Sequence, residues 1–354
     1  MIDAKIKVLI VEDTLVVQKL LGGLIKNDDR FELIGIAVNG KEAIDFVKKH
    51  KPDVVSMDIL MPLMDGVEAT RLIMQENPIP IVIISGLYQS SEIEMAIKVM
   101  GVGAVAILPR PFGPGHSKYE QSARQYLNML KLMSEVKVVK RKKDISIISQ
   151  KNPITDIAVG FKHTGDQKFQ VLAIGASAGG PEGIRTILSG LPPDFPLPVF
   201  IVQHIDIHFA EGFALWLNTF STIPVSIAIN NENILPGHVY LPPSDHNIRV
   251  NQNKTIMTSK DKTNIGIRPS VDALFESIAN VYGKNSIAVI LSGMGKDGAI
   301  ELKKLCDLGA YTIAQDETSC LVYGMPGEAV KIGAACKVLS PENITKEICN
   351  LINL

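Results

Sequence analysis

Ile174-Gly175-Ala176-Ser177-Ala178-Gly179-Gly180-Pro181 closes an apolar run, Phe169–Ile174, and opens a helical pattern, Glu182–Leu188. This is strand, tight glycine turn, helix, and it contains a literal G-x-S-x-G. The glycines make room for a serine on a strained turn, and the helix that follows aims its N-terminus at the same spot. Two further apolar runs behave alike. Pro198–Val202 ends in Gln203-His204, and Ser286–Leu291 ends in Ser292-Gly293-Met294-Gly295-Lys296-Asp297-Gly298. Runs that read as buried strands place the reactive side chains that follow them at the carboxyl edge of a parallel sheet, where open α/β folds gather their chemistry. A serine, a histidine and an aspartate delivered to one edge are the parts of an acyl-transfer triad: Ser177 as nucleophile, His204 as general base and Asp297 to orient the imidazole. A glycine loop that cradles a nucleotide phosphate is the competing reading. It expects an acid at the end of the next strand to hold a ribose, and Gln203-His204 stands there instead.

The first third of the chain has a different rhythm. Apolar runs at Lys5–Val11, Phe31–Ala37, Val54–Met57, Ile79–Ile84 and Ala104–Leu108 alternate with helical patterns such as Leu15–Lys26, Gly40–Lys49 and Ser117–Met133. Five such units predict a doubly wound parallel sheet. Glu12 and Asp13 follow the first strand, Asp58 the third and Ser85 the fourth, so all converge on one sheet edge. Carboxylates clustered in this way suit a hard cation such as Mg²⁺, which takes few protein oxygens. A carboxylate beside it is placed to attack a phosphoryl donor. Read apart from Asp58, Glu12 and Asp13 are simply acids that cap a helix.

Composition bounds the rest. The chain has 354 residues, 46% hydrophobic and 21% charged, with a formal net charge of −1. That is room for two cores, and it gives no sign of nucleic acid or an anionic membrane as partner. No apolar run reaches membrane-spanning length, and a strand so near Met1 predicts no signal peptide. Cys306, Cys320, Cys336 and Cys349 show no metal-ligand spacing and are expected as reduced, mostly buried thiols of a cytoplasmic protein. From Ser134 to about Lys168 the βα rhythm breaks, with a basic run at Lys137–Lys143 that reads as a solvated tether or as a patch for an acidic partner. His208, His238 and His246 are expected in structural or rim positions, and Lys296 as a solvated loop charge.

Glu12-Asp13, the run Met57-Asp58-Ile59-Leu60-Met61-Pro62-Leu63-Met64-Asp65-Gly66, and Ser85 together resemble a response-regulator receiver domain. The resemblance implies a flavodoxin-like five-stranded fold with phosphorylation at Asp58, and Mg²⁺ held by Glu12, Asp13 and Asp58. It also implies that Ser85 reports the phosphate. Arg110, in Leu108-Pro109-Arg110-Pro111, stands where receivers carry a lysine, and Ile107 where an aromatic residue is frequent. A planar guanidinium is not equivalent to a compact ammonium at such a switch.

The three triad loops, with Pro236-Gly237-His238-Val239-Tyr240-Leu241-Pro242-Pro243, Arg268-Pro269-Ser270-Val271-Asp272-Ala273-Leu274-Phe275, Gln315-Asp316 and Gly324-Met325-Pro326, resemble the chemotaxis protein-glutamate methylesterase (CheB) family. The implied organisation is a receiver over 1–133, a linker over 134–167 and a three-layer α/β/α methylesterase domain over 168–354. The implied activity is hydrolysis of glutamate γ-methyl esters, and deamidation of glutamines, on chemoreceptors. The oxyanion would rest on the amides of Met294 and Ala178, with no cofactor in this half. The implied partners are those receptors and the chemotaxis histidine kinase that supplies phosphate. Ala178 replaces a frequent threonine, and Asp206 a usual proline. Two alternatives from other classes stand beside this reading: a degenerate hydrolase that only binds a partner, and a nucleotide-dependent enzyme.

Overall fold

The computed structural model describes residues 4–86, 90–136, 138, 168–261 and 266–353. The chain divides into two compact units, Met1–Ile148 and Ser149–Leu354. Lys137 and residues 139–167 lie outside the described residues, and with them the basic run and most of the expected linker.

In the first unit five strands, β1 (Ile6–Val11), β2 (Phe31–Ala37), β3 (Val54–Asp58), β4 (Ile81–Ser85) and β5 (Ala106–Pro109), pair in parallel in the order β2-β1-β3-β4-β5. The helices between and after them are α1 (Leu15–Lys26), α2 (Gly40–His50), α3 (Gly66–Glu76), α4 (Ser90–Val102) and α5 (Tyr119–Ser134). The strand order reverses between β1 and β3, the flavodoxin-like switch point. Local sequence sets the helix starts. Asn39 caps α2 by accepting the Glu42 amide at 3.0 Å, and Asp65 caps α3 by accepting the Glu68 amide at 2.8 Å. The Asp65-Gly66 pair of the receiver-like run is thus a helix start that folds back over β3, with the Gly66 amide donating to Ile59 O at 2.8 Å.

The second unit holds a seven-stranded parallel sheet. Its strands are β6 (Val171–Ala176), β7 (Val199–Gln203), β8 (Val225–Ile227), β9 (Val239–Leu241), β12 (Ser286–Ile290), β13 (Tyr311–Gln315) and β14 (Lys337–Leu339), in the order β14-β13-β12-β6-β7-β9-β8. The helices are α6 (Gly180–Gly190), α7 (Ala210–Asn218), α8 (Val271–Val281), α9 (Ala299–Asp307), α10 (Met325–Lys331) and α11 (Pro341–Leu351). One sheet face, with Val171, Ala173, Phe200, Ala288 and Ile290, packs against Leu274, Phe275 and Ile278 of α8 and Leu302 and Leu305 of α9. Helices α6 and α11 pack on one another and on β6 and β13, which makes the third layer. The chain passes from β6 to β7 on one side and later returns to β12 on the other. The reversal therefore falls at β6, and the carboxyl ends of β6, β7 and β12 open into one crevice.

The sequence reading places no strand at β8, β9, β13 or β14, nor at an antiparallel pair, β10 (Asn247–Val250) and β11 (Ile256–Ser259). Ile248, Val250 and Ile256 of this pair join the α8 core. The thiols also need a correction. Cys320 and Cys336 are buried, but Cys306 and Cys349 are only half-buried, because both sit on helix faces that meet solvent. Among the described residues no helix is long and apolar enough to cross a membrane.

Candidate active site

Ser177 follows β6 directly, and its amide donates to Ser292 O at 3.0 Å, which ties the serine turn to the 292–298 loop. Gly179 has φ +77°, a conformation that L side chains rarely adopt, and a Cβ there would sit 2.4 Å from Leu321 Cβ. Gly293 is needed for a different reason. A Cβ on it would lie 2.3 Å from Met325 Sδ and 2.8 Å from Ser177 Cβ, so the two loops approach only because nothing stands there. The Ser292 hydroxyl donates to Ala178 O at 2.7 Å and accepts the Val322 amide at 2.9 Å. The amides of Ala178 and Met294, expected as oxyanion donors, have no hydrogen-bond partner among the described residues.

His204 continues β7, its amide donating to Ala176 O at 3.0 Å. Gln203, buried beneath it, donates its side-chain amide to Ser177 O at 2.8 Å and to His204 O at 2.9 Å, and so staples the nucleophile turn to the histidine loop. His204 Nε2 lies 2.7 Å from Asp297 Oδ2. The aspartate therefore takes the nitrogen that faces serine in the chymotrypsin arrangement, and Nδ1 is the nitrogen left for Ser177. No hydrogen bond joins Ser177 Oγ to His204 in this state among the described residues. Hydrogen bonds of this kind are commonly long before substrate binds.

Asp297 is 2% exposed and set on the N-terminus of α8. Its Oδ2 accepts the Val271 amide at 2.7 Å, and its Oδ1 the Asp272 amide at 2.9 Å and the Ser270 hydroxyl at 3.1 Å. Burial pushes this carboxyl up. The hydrogen bond and charge of His204, with the two amides, outweigh burial and hold it below the usual carboxylate range. An ionised Asp297 accepts the Nε2 proton and leaves Nδ1 as a proton acceptor. Gln203 and the Ser270–Asp272 turn are the functional residues that the sequence reading did not assign. The signal was present: Ser270 opens a helix as a cap residue does.

His208, His238 and His246 are engaged elsewhere. His208 Nδ1 lies 2.6 Å from Asp206 Oδ1, His238 Nε2 2.8 Å from Ser226 Oγ, and His246 Nδ1 2.7 Å from Ser244 O. Asp206, at the position expected for proline, caps the short turn at Ile207–Phe209. Lys296 is exposed. It lines an open depression beside the 292–298 loop with Gly295, Tyr323, Gly324, Gly327 and Glu328. No acid stands at the end of β7 to hold a ribose, and His204 there is committed to Asp297.

The first unit gathers a second set at its switch point. Carboxylate oxygens of Glu12, Asp13 and Asp58 all lie within 4.8 Å of one another. Arg110 Nη2 sits 3.5 Å from Glu12 Oε2 and 3.5 Å from Asp58 Oδ1, while its amide donates to Ser85 O at 2.9 Å. Burial, then the charge of Glu12, push the Asp58 carboxyl up to about 7 against the opposing pull of Arg110. Burial likewise raises Glu12. Three oxygens with more negative charge than one guanidinium offsets make a donor set that fits a hard divalent cation. Ser85 is buried at the end of β4.

The raised Asp58 carries a stability consequence. Between about pH 4 and 7 the folded state holds this proton and the unfolded state releases it, so stability falls as pH rises through that window. Asp58→Asn is therefore expected to raise the metal-free unfolding temperature of the first unit by several degrees at pH 8, and by less at pH 5. Thermal unfolding at the two pH values checks this, and equal gains would contradict it.

Two family models match the chain: a response regulator receiver domain over residues 8–118 and CheB methylesterase over residues 172–348. The chain belongs to the CheB methylesterase family. A Geobacter metallireducens relative called protein-glutamate methylesterase/protein-glutamine glutaminase 4 is 44% identical, over 98% of this chain and 99% of its own. A Nitrosospira multiformis protein-glutamate methylesterase/protein-glutamine glutaminase is also 44% identical, over 98% and 97%. The solved Thermotoga maritima CheB methylesterase catalytic domain is 34% identical, covering 52% of this chain and 98% of that one, with a TM-score of 0.49. This chain pairs an N-terminal receiver domain with a CheB methylesterase domain.

Proposed function

We propose that the chain hydrolyses glutamate γ-methyl esters and deamidates glutamines on chemoreceptors, with Ser177, His204 and Asp297 as its catalytic triad. One observation carries this reading. A serine on a glycine turn, a histidine held by a buried ionised aspartate, and two unpartnered backbone amides meet at one sheet edge.

Ser177 Oγ attacks the ester carbonyl as His204 Nδ1 takes its proton. The resulting imidazolium is stabilised through Nε2 by Asp297. The amides of Met294 and Ala178 receive the developing oxyanion, each such donor being worth about 3 kcal/mol in comparable sites. His204 returns the proton to the leaving methoxide, and methanol departs. Water, activated by the same nitrogen, then releases Ser177 and leaves a free glutamate. With an amide substrate the leaving group is ammonia.

The receiver is the regulator in this account. Residues 1–133 form the receiver, 134–167 a tether and 168–354 the hydrolase, in a protein of the cytoplasm. Asp58 accepts phosphate from the chemotaxis histidine kinase; Glu12, Asp13 and Asp58 would hold Mg²⁺, which would neutralise charge on the phosphoryl group. Ser85 and Arg110 respond to the phosphate, and the change favours a state in which the hydrolase is active. Turning a 1:99 population to 99:1 requires about 5.5 kcal/mol of differential stabilisation. The outcome is sensory adaptation.

Methanol release from a methylated receptor, with Mg²⁺ and a small phosphodonor, tests the whole reading. Wild type is expected to release methanol and to be activated severalfold by the phosphodonor. Asp58→Asn is expected to release methanol at one unchanging rate. Activation of Asp58→Asn equal to that of wild type would remove the regulatory half. Absence of methanol from phosphodonor-treated wild type would remove the catalytic half.

A further inference from the structure

We propose that Asp272 is a positioning residue of the hydrolase: its carboxylate clamps the loop that carries Asp297 and so fixes how that aspartate holds His204. The inference rests on the reading of His204 and Asp297 given above.

The clamp is reciprocal. The first turn of α8 donates the Ser270 hydroxyl and the Val271 and Asp272 amides to Asp297. In return Asp272 Oδ1 accepts the Gly298 amide at 2.8 Å, from the residue immediately after Asp297. Gly298 is the cap residue of α9, with φ +84°. Each carboxylate therefore satisfies open amides at the start of the helix that adjoins the other. The Asp297 loop needs such a hold, because it contains two glycines in the left-handed region, Gly295 at φ +85° and Gly298. A chain of that kind keeps one geometry only if it is pinned on both sides of the functional residue.

Capping of its own helix does not explain Asp272. That position belongs to Ser270, whose hydroxyl accepts the Ala273 amide at 3.4 Å. The location is also unfavourable for a carboxylate. Burial, then the charge of Asp297, push Asp272 up to about 6, with Glu301 of α9 adding to the effect and Lys304 of α9 opposing it. Lys304 is itself paired with Glu301 at 2.5 Å, and Glu276 follows one turn along α8. A like charge nearby disfavours the ionised form of a carboxyl.

Two variants, read by kinetics in the full chain, test the clamp. Asp272→Ala removes the acceptor for Gly298 and is expected to lower kcat about tenfold or more with KM nearly unchanged, because small misplacements of catalytic groups have effects of that order. Asp272→Asn keeps an oxygen for Gly298 and loses the charge. It is expected to keep most of kcat, because the Gly298 amide retains its acceptor. An Asp272→Ala enzyme within twofold of wild type would overturn the proposal, as would an Asp272→Asn enzyme as impaired as the alanine variant. If the alanine variant does not fold, the asparagine variant decides alone, and a folded asparagine enzyme with kcat lowered tenfold or more would overturn the clamp. These readings require an enzyme that depends on Ser177. Loss of activity in Ser177→Ala shows that dependence, and so separates failure of the clamp from failure of the underlying mechanism.

Discussion

Ser177→Ala is expected to lower ester hydrolysis by about a thousandfold or more while the protein remains folded. The serine lies on a half-buried turn, and the structure assigns its hydroxyl no hydrogen bond to neighbouring groups among the described residues. Its backbone bonds to Ser292 and Gly180 do not involve the side chain and survive the substitution. Removing Oγ therefore deletes the nucleophile and little else. Methanol release, compared with the circular dichroism and melting profile of the same preparation, checks both halves of the expectation. A folded variant keeping more than roughly a tenth of wild-type activity would exclude Ser177 as nucleophile, since triad members contribute factors far larger than that.

His204→Gln is expected to cost a similar factor, and Ser177→Ala with His204→Gln little more than either change alone. Residues that act as one unit are strongly non-additive, because removing one leaves the others without a function. Independent sites would instead multiply their losses. The imidazole is held at 2.7 Å by an aspartate that α8 keeps ionised, so glutamine removes the base without leaving Asp297 unpartnered by the helix amides. Initial rates of the two single variants and the double variant test this, and a double variant slower than both singles by the product of their separate losses would contradict the triad.

Much of this was legible in the sequence, and the part that was not has a physical reason. Strands buried on both faces read as unbroken apolar runs, so β1, β3, β6, β7 and β12 stood out, and the glycine turns after β6 and β12 marked where side chains converge. Acidic residues at the ends of β1 and β3 pointed to Glu12, Asp13 and Asp58 for the same reason. The β10–β11 pair did not stand out, because Asn247–Val250 and Ile256–Ser259 are four residues each and mix apolar with polar side chains. They become strands by packing Ile248, Val250 and Ile256 onto α8, a contact that no local pattern encodes. The role of Ser270–Asp272 was hidden too. A helix start is recognisable locally, but which distant carboxylate it holds depends on where α8 crosses the sheet. The ring nitrogen that meets Asp297 is likewise a matter of approach direction and not of residue type.

The central claim is that Ser177 is a nucleophile activated by His204, and covalent capture tests it most directly. The full-length protein is treated with a fluorophosphonate, digested and mapped by mass spectrometry, beside His204→Gln handled identically. The account predicts a single adduct on the peptide bearing Ser177, formed in step with loss of esterase activity and nearly absent from His204→Gln. Loss of activity with the label on another residue, or equal labelling of Ser177 in both proteins, would contradict it.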